Sequence, residues 1–539
     1  MMGDIQKISI YIGKRLSCCI LEFLSLMVSL LVRPKRSAIP AIRDDILTTP
    51  AVKLSLKIKS GELTSEEVVK AFIDRIKLVN PSINAVVDLR HKEALKDARL
   101  LDHRLQQARS GNGDQHLLEL PLVGVPFTVK ETIALKGAPF TAGLARRKFK
   151  RASQSNEAVD QLINAGLIPI GSTNTPCMNL WWDSYNLLYG RTNNPYDLSR
   201  IPGGSSGGEA SLQAAAGSVV GVGSDLAGSI RIPCSFCGIF GHKPTPFVVS
   251  NNGVYPSMRM EQEKLRGVGP MTRYACDLLP MLKIMLKQPE VSKMKLDEPV
   301  DLRKIKIFYL DDIGDPFVSK CNSEIVSGLH AAVQHLRSTY GVPAERVLFD
   351  EFKYGLFLWS AELNVAGGTL YTTEHEDGRV PFNPYLELIK SVFGSSEFPL
   401  NTIVTVLLEK LSSKHKSRSH DYLTKRAADL RKKFYELVGE RGVLLMPSHP
   451  QPAAHHKTTI FKFLNVAFTA VGNVLQAPIT QCPLGMSNEG LPFGLQVIAG
   501  PYNDRITLAV AQELSKVFGG WQPVLPGNAA PARGRCNVR

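Results

Sequence analysis

The chain has 539 residues, of which 44% are hydrophobic and 21% charged, with 43 Gly and 34 Pro. This composition is typical of a globular protein and excludes a collagen-like, coiled-coil or mostly disordered chain. The length predicts several domains or one unusually large sheet-based domain. The formal net charge of +15 fits nucleic acid, an anionic membrane or simple solubility. Because no zinc-finger, basic-zipper or RNP-type pattern accompanies the scattered basic residues, we expect no nucleic acid partner.

The nine cysteines are sparse, odd in number and irregularly spaced, which excludes a disulfide scaffold. Cys234 and Cys237 form a C-x-x-C motif, but no second pair stands at metal-ligand spacing. We therefore interpret them as ordinary buried thiols rather than zinc or redox groups. Histidines do not form a metal-spaced cluster with carboxylates either, so we expect surface or core histidines and no metal at His242, His449, His455 and His456.

An apolar run of 17 residues, Leu16 to Val32, lies near the start of the chain between basic flanks. As a helix it would span about 26 Å, against roughly 30 Å of hydrocarbon, so it can just cross a bilayer. Glu22 lies within the run and favours a helix that lies in the membrane interface instead. Both versions predict an N-terminal membrane anchor over 1–36.

A cleaved secretory signal is the competing interpretation of this run. The basic residues RPKR follow it directly, and no small-x-small cleavage site precedes them, so an uncleaved anchor is favoured. The chain contains no Asn-x-Ser/Thr glycosylation acceptor, which favours a body that faces the cytosol.

The pattern of the body predicts an α/β fold after a linker at 37–54. Thr64 and Glu67 form a capping box, and apolar residues then recur at helical spacing until Asn80-Pro81. Helical patterns then alternate with strand-like runs at 91–108, 122–129, 157–164 and 167–170. We therefore expect one domain over 55–525, a large mixed but mostly parallel sheet flanked by helices, with peripheral helices and loops from 287 to 440. The residues 526–539 are expected to form a disordered tail.

Two segments carry the chemical signal. Gly and Ser are densest from 203 to 233, and such a run between apolar segments lets a substrate approach main-chain amides. The run lacks the Gly-Lys-Ser/Thr ending of a phosphate-binding loop. The second segment is a strand-like run that begins at Gly124 and ends in Lys130-Glu131; taken alone, such a lysine is more often a solvated charge than a catalyst.

Together these segments resemble the amidase signature family. The resemblance rests on the sequence GVPFTVK ending at Lys130, on GGSSGG at 203–208 and on GSIRIP at 228–233. Further segments follow in the family's order, at 190–197, 240–244 and 490–496, so the resemblance covers roughly 55–520. It implies the amidase signature fold, an amide-hydrolysing enzyme and no cofactor.

Carried over by position, the resemblance makes Ser229 the nucleophile, Ser205 the bridging hydroxyl and Lys130 the base. A serine hydroxyl needs a base within hydrogen-bond reach, and a neutral lysine can serve without any histidine. We expect burial to lower the pKa of Lys130 from about 10.4 to about 7. Ser206, Arg231 and the Asn193-Asn194 pair are expected to support the loops by hydrogen bonds rather than to react.

The resemblance also implies that the turn Leu226-Ala227-Gly228 supplies backbone oxyanion donors. The family usually has Gly-Gly before the nucleophile, whereas this chain has Ala227-Gly228. If Ala227 needs a positive φ, its methyl group strains the turn by about 1 to 3 kcal/mol and weakens activity. If its φ is negative, nothing is lost.

These observations predict a membrane-associated serine amidase that hydrolyses fatty-acid amides to a fatty acid and an amine. The anchor supports a lipid substrate, since a long acyl chain partitions into the bilayer. The alternatives are a catalytically weak or dead amidase fold that acts as a tethered binding protein, and the glutaminase subunit of a tRNA-dependent amidotransferase. The sequence leaves a homodimer open.

Overall fold

A computed structural model describes residues 2–31, 39–364, 383–413 and 418–524. Its helices, numbered α1 to α17 in chain order, are Met2–Leu31, Ala51–Ser60, Ser65–Ile83, His91–Arg109, Glu157–Asn164, Gly207–Ala214, Arg231–Cys237, Met260–Glu263, Ala275–Met285, Gln288–Met294, Ser323–Tyr340, Gly355–Leu363, Pro384–Val392, Leu400–Ser413, Arg418–Val438, Ala467–Val474 and Asp504–Phe518. Its strands, β1 to β13, are Val86–Leu89, Pro126–Lys130, Ile168–Thr173, Tyr185–Asn186, Gly190–Arg191, Val220–Asp225, Phe240–Lys243, Gly267–Thr272, Lys306–Tyr309, Ala344–Arg346, Gly442–Pro447, Ile479–Met486 and Pro492–Ala499.

Eleven strands form one sheet in the order β1-β3-β2-β6-β8-β7-β12-β13-β11-β9-β10. The prediction of a large mixed sheet is confirmed, but the prediction that it is mostly parallel is wrong. Within this sheet, six neighbouring pairs of described strands are antiparallel and four are parallel. The strands β6, β7 and β8 are buried on both faces, as the strands of parallel sheets usually are, although they pair antiparallel.

Helices cover both faces of the sheet. Along β11, Val443 and Leu445 face one core cluster, whereas Leu444 and Met446 face the other. This alternation follows from the two-residue period of a strand. One cluster packs the sheet against helices that include α3, α4, α9 and α17, and the second packs it against α12, α15 and α16. Both faces of the sheet are therefore shielded from solvent by helices.

The first helix of the body is confirmed, with its capping box at Thr64 and Glu67. It continues past Pro81 to Ile83, and the Asn84 amide still donates to the Asn80 carbonyl at 2.8 Å. The predicted linker at 37–54 is wrong in its second half. Leu47, Ala51 and Leu54 of this segment are buried in the core. Asp277 accepts hydrogen bonds from the first two amides of α2.

The stretch from 287 to 440 holds the predicted helices but also two strands that the sequence analysis missed. β9 and β10 are short and lie at one edge of the sheet, where β9 pairs in parallel with β11. Their few residues provide too little alternation to be recognised. The predicted tail at 526–539 lies outside the described residues.

The helix α1 lies against the domain. Cys18 and Ser25 on one side of it are buried, and Arg15 donates to the Val318 carbonyl at 3.3 Å. The predicted transmembrane form of the anchor is not supported, since no helix in the described ranges is long and apolar enough to cross a bilayer.

Candidate active site

Lys130 is the last residue of β2, whose five residues are all buried. This strand pairs in parallel with β3 on one side and β6 on the other, and Val129 stands opposite Val222. The carboxyl ends of β2 and β6 therefore lie side by side. This register brings the Lys130 side chain, which is wholly buried, next to Ser224 of β6.

Three oxygen atoms surround the Lys130 amine. Its Nζ lies 2.6 Å from Ser205 Oγ, 3.0 Å from Ser224 Oγ and 3.5 Å from the Ser224 carbonyl oxygen. The structure thus brings together Lys130 and Ser205, as the resemblance implied. The sequence analysis missed Ser224. The signal that could have found it is its position, a hydroxyl near the carboxyl end of the strand beside β2.

The loop that holds Ser205 depends on close packing at glycines. Gly203 has a φ of +85°, and a Cβ added there would lie 2.6 Å from the Cα of Pro233. At Gly208 an added Cβ would lie 2.4 Å from the backbone nitrogen of Asn174. A side chain at Gly203 would push the loop away from α7, and one at Gly208 would push it away from the segment after β3. The loop that holds Ser205 therefore needs glycine at both positions to keep this packing.

Ser229 lies in the turn between β6 and α7. The Ser206 amide donates to the Ser229 carbonyl at 3.1 Å, so the two loops are joined through their backbones. Ser205, Ser224 and Ser229 line one cavity of about 20 Å³. This volume holds roughly one water molecule. The three serines therefore border one small cavity, and the Lys130 amine adjoins it through its contacts with Ser205 and Ser224.

Asp225 and Arg231 form a wholly buried ion pair under this turn, with Arg231 Nη2 at 2.9 Å from Asp225 Oδ1. The same carboxylate accepts hydrogen bonds from the Gly228 and Ile230 amides at 2.8 and 3.1 Å. Burial alone would raise the pKa of Asp225, but Arg231 holds it well below its ordinary range. Arg231 therefore supports the loop, as the sequence analysis expected.

The backbone angles of the turn show whether Ala227 is strained. The positive φ belongs to Gly228, at +120°, where an added Cβ would lie 2.1 Å from Thr469 Oγ1. Ala227 is not among the positive-φ residues in the described part of the chain, so its methyl group adds no backbone strain there.

One of the three amides expected to serve as oxyanion donors is already engaged. The Gly228 amide donates to Asp225 and is not available to a ligand. The expectation that Gly228 supplies an oxyanion donor is therefore wrong. Over the residues that the structure covers, the amides of Leu226 and Ala227 have no acceptor. These two remain available to a ligand.

Burial lowers the pKa of Lys130 to about 7; Asp225 opposes this shift, Arg266 adds to it and Glu209 opposes it. The direction and the size agree with the expectation from sequence. Glu209 is also wholly buried, and burial raises its pKa to about 7 although Thr128 and Thr173 donate hydrogen bonds to it. Neither group therefore needs to carry a full charge at neutral pH.

Besides Ser224, two further polar residues of the cavity wall were not predicted from the sequence. Arg266 is almost completely buried, and its guanidinium is held by Glu263 at 3.0 Å and by the Pro256 carbonyl at 2.8 Å. Asn179 donates to the Tyr255 carbonyl at 2.9 Å. Both lie in segments without a recognisable pattern, so only the folded chain shows that they border the cavity.

An apolar cluster adjoins the cavity. Leu226 and Met258 line the cavity and also pack against this cluster. Its buried members come from distant parts of the chain and include Met178, Leu180, Leu363, Phe398, Ile403 and Val406. The site therefore combines a polar centre with an adjoining apolar region.

The other candidate residues have structural surroundings. The Cys234 and Cys237 thiols are buried, each donates to a backbone carbonyl at 3.4 Å, and burial raises both pKa values well above the ordinary value. His242 is buried beside Asp504 at 3.1 Å, and His449 packs among aromatic rings. These contacts agree with the interpretation as buried thiols and core histidines. Over the described ranges, no three His, Cys, Asp or Glu residues form a group that could hold a metal ion.

Comparison with known proteins identifies the family. The profile of the family named Amidase matches residues 67–508. The chain is 41% identical over 533 residues to fatty-acid amide hydrolase 2-B of Danio rerio, covering 95% of this chain and 98% of the relative. It is 27% identical over 476 residues to a glutamyl-tRNA(Gln) amidotransferase subunit of a Synechococcus strain, covering 85% of this chain and 90% of that relative.

A solved structure described as fatty acid amide hydrolase superposes with a TM-score of 0.71 at 23% identity, covering 88% of this chain and 86% of that one. At this identity the likeness shows a shared fold. The family profile and the 41% identical relative go further, because both extend over most of the chain. The chain therefore belongs to the amidase signature family, and it is an amidase.

Proposed function

We propose that this amidase hydrolyses fatty-acid amides, with Ser229 as the nucleophile, Ser205 as the bridging hydroxyl and Lys130 as the base. The observation that carries the proposal is the 2.6 Å contact between the buried Lys130 amine and Ser205, on the cavity that Ser229 also lines. The name of the 41% identical relative supports the substrate class.

The surroundings of the Lys130 amine favour proton transfer from Ser229 through Ser205 to Lys130. A neutral Lys130 has two N–H groups and one lone pair; Ser224 offers two oxygen atoms as acceptors, which leaves the lone pair for the Ser205 proton. Ser205 in turn accepts the proton of Ser229 as Ser229 Oγ bonds to the carbonyl carbon of the amide. The negative charge on the former carbonyl oxygen is stabilised by the amides of Leu226 and Ala227.

Release of the amine, which completes the first half of the reaction, reverses these transfers. The carbon–nitrogen bond breaks, and Ser205 returns its proton to the departing amine while Lys130 replaces the proton on Ser205. An acyl ester then remains on Ser229. Water gives a proton to Lys130 through Ser205, attacks this ester, and releases the fatty acid as Ser229 regains its proton.

The apolar cluster is the proposed place for the acyl chain. It begins at Leu226 and Met258, which share the cavity with Ser229, so a carbonyl bound at Ser229 can continue into it. The cavity itself is too small for an acyl chain, and the side chains of the cluster must part to admit one. Burial of apolar surface, about 0.8 kcal/mol for each CH₂, would drive this exchange.

Membrane association is the second part of the proposal, and α1 supports it. Five large apolar residues, each between 48% and 70% exposed, recur on one face of α1 at spacings of three and four: Leu16, Ile20, Phe23, Met27 and Leu30. The opposite face, with Cys18 and Ser25, packs on the domain. A helix with this division fits a position parallel to the bilayer with its apolar face in the lipid. We also propose that the domain faces the cytosol.

The alternative functions have less support. Strain at Ala227 was the only sequence feature that favoured a dead site, and Ala227 has no positive φ. The amidotransferase relative is 27% identical, against 41% for the fatty-acid amide hydrolase. Lipid amide hydrolysis is therefore the function that the site supports best.

The proposed nucleophile is tested by brief mixing with oleamide or anandamide and mass spectrometry of the intact chain. An acyl adduct on Ser229 is expected, because the first half of the reaction leaves an ester there. The adduct should be absent in Ser229→Ala. A folded wild-type chain that forms no adduct with either amide would contradict the proposal.

The proposed base predicts how the labelling rate of Ser229 by a fluorophosphonate depends on pH. Protonated Lys130 cannot accept a proton, so the rate should rise as pH increases through about 7, where Lys130 loses its proton. Thermal unfolding at each pH serves as the control for stability. A rate that is constant between about pH 6 and pH 9 would exclude Lys130 as the base.

The turn predicts different results for two neighbouring substitutions. Gly228→Ala should reduce kcat by about 10²-fold or more, because the new methyl group meets Thr469 and displaces the donors of the turn. Ala227→Gly should stay within about threefold of the wild type, since no strain exists there to relieve. Steady-state kinetics with oleamide measures both. Equal losses in the two variants would show that φ does not decide the effect.

The position of α1 predicts the result of liposome sedimentation. Replacing Phe23 and Leu30 together by Asp should lower the bound fraction by about tenfold or more, because two large apolar side chains no longer enter the lipid. Leu56→Asp is the matched control, since Leu56 is 59% exposed on α2. If both variants bind like the wild type, α1 is not the membrane contact.

A further inference from the structure

Two neighbouring helices hold two consecutive carbonyl groups of the turn before Ser229. The indole Nε1 of Trp359 on α12 donates to the Leu226 carbonyl at 2.8 Å, and Thr469 Oγ1 on α16 donates to the Ala227 carbonyl at 2.6 Å. The helices touch each other, since a Cβ added at Gly355 would lie 3.2 Å from the Val471 Cβ. The turn is therefore fastened to a helix pair rather than only to its own strand.

These hydrogen bonds orient the amides of the turn. A peptide group is planar and trans, so a carbonyl held on one side points the following N–H to the other side. The bond from Trp359 to the Leu226 carbonyl thus sets the direction of the Ala227 amide, which has no acceptor over the described residues. The hydrogen bond from Thr469 to the Ala227 carbonyl similarly sets the direction of the Gly228 amide, which donates to Asp225. Of these two amides, only the one controlled by Trp359 is left for a ligand.

The Trp359 side chain makes a second contact. Its ring is half-buried and packs against the apolar cluster that adjoins the cavity, as do Leu226 and Met258. One side chain therefore contacts both the region proposed for the acyl chain and the backbone of the oxyanion turn.

We propose that Trp359 is a positioning residue that couples an acyl chain in the apolar cluster to the orientation of the Ala227 amide. This inference rests on the proposed function. A long chain fills the cluster and presses the indole into the position from which it holds the Leu226 carbonyl. A short chain leaves the ring free to move, and the donor is then less well aimed. Binding energy from the remote end of the substrate is thereby used in the transition state, and it appears in kcat rather than only in KM.

The test compares kcat and KM for hexanamide and oleamide in the wild type and in Trp359→Phe, which keeps an aromatic ring but removes the N–H donor. In the wild type, kcat should be higher for oleamide. In the variant, kcat for oleamide should fall by about 5- to 10-fold, as expected for one lost hydrogen bond. KM for oleamide should stay within about twofold, because the packing of the cluster is kept. The kcat for hexanamide should change little, because a short chain does not hold the indole against the Leu226 carbonyl.

Two further variants separate coupling from general support of the fold. Trp181→Phe is the matched control, since the Trp181 indole donates to Thr459 at 2.7 Å, away from the turn, and kcat for both amides should be unchanged. Thr469→Val should lower kcat by the same factor for both amides, because it removes the hydroxyl that holds the Ala227 carbonyl and keeps the size of the side chain. Thermal unfolding of each variant establishes that it is folded.

Three results would overturn the inference: an equal loss of kcat for both amides in Trp359→Phe, a rise in KM alone, or kinetics like those of the wild type. A loss in Thr469→Val that depends on chain length would overturn it as well. Failure of the proposed function is distinct from these results. In that case the wild type itself forms no acyl-enzyme with either amide, whereas failure of the coupling leaves wild-type turnover intact.

Discussion

A lysine amine that is completely removed from water loses its proton more readily, and the site of this amidase is arranged around that effect. Lys130 is wholly buried, and its pKa falls to about 7. Three oxygen atoms from Ser205 and Ser224 surround the amine, so it is hydrogen-bonded without a carboxylate in direct contact in the described structure. Burial thus makes a neutral amine accessible near neutral pH, and the hydroxyls of Ser205 and Ser224 are its hydrogen-bond partners.

The surrounding backbone serves this arrangement. Parallel pairing of β2 with β6 brings Lys130 and Ser224 together, and glycines at positions that leave no room for a Cβ bring the Ser205 loop close. Below the turn that carries Ser229, the charges of the buried Asp225–Arg231 pair are also hydrogen-bonded to other groups, such as the Gly228 amide and the Gln496 side chain. A buried ion pair needs such partners, because each unmet charge in the interior is costly.

The proposed lipid chemistry depends on elements far apart in the chain. The apolar cluster combines residues from the segment around 178–180, from α12 and from α14, and it meets the polar cavity at Leu226 and Met258. The helix α1 buries one face on the domain and exposes an apolar face. The cluster does not exist in any one segment, since it is created when distant segments pack together. The apolar face belongs to α1 alone, but only the packing of its other face on the domain shows that it stays exposed.

The amphipathic helices and their caps could be predicted from sequence, because their signals are local: the capping box at Thr64 and Glu67 is an example. The direction of the strands could not. The strands of the sheet centre are buried on both faces, and an apolar run carries no information about the direction of its neighbour. The short edge strands β9 and β10 were missed for a related reason, since three or four residues show no clear period.

For the site, the sequence by itself determined which residue types stand in the Gly/Ser run and at the end of β2, and hence Lys130, Ser205 and Ser229 as candidates. Only the tertiary structure decided that Ser224 faces the same amine, that Gly228 gives its amide to Asp225, and that Ala227 keeps an unstrained φ. The reason is physical. Residue identity is a property of the chain, whereas a pKa, a hydrogen-bond partner and a backbone angle depend on what the fold packs around each group.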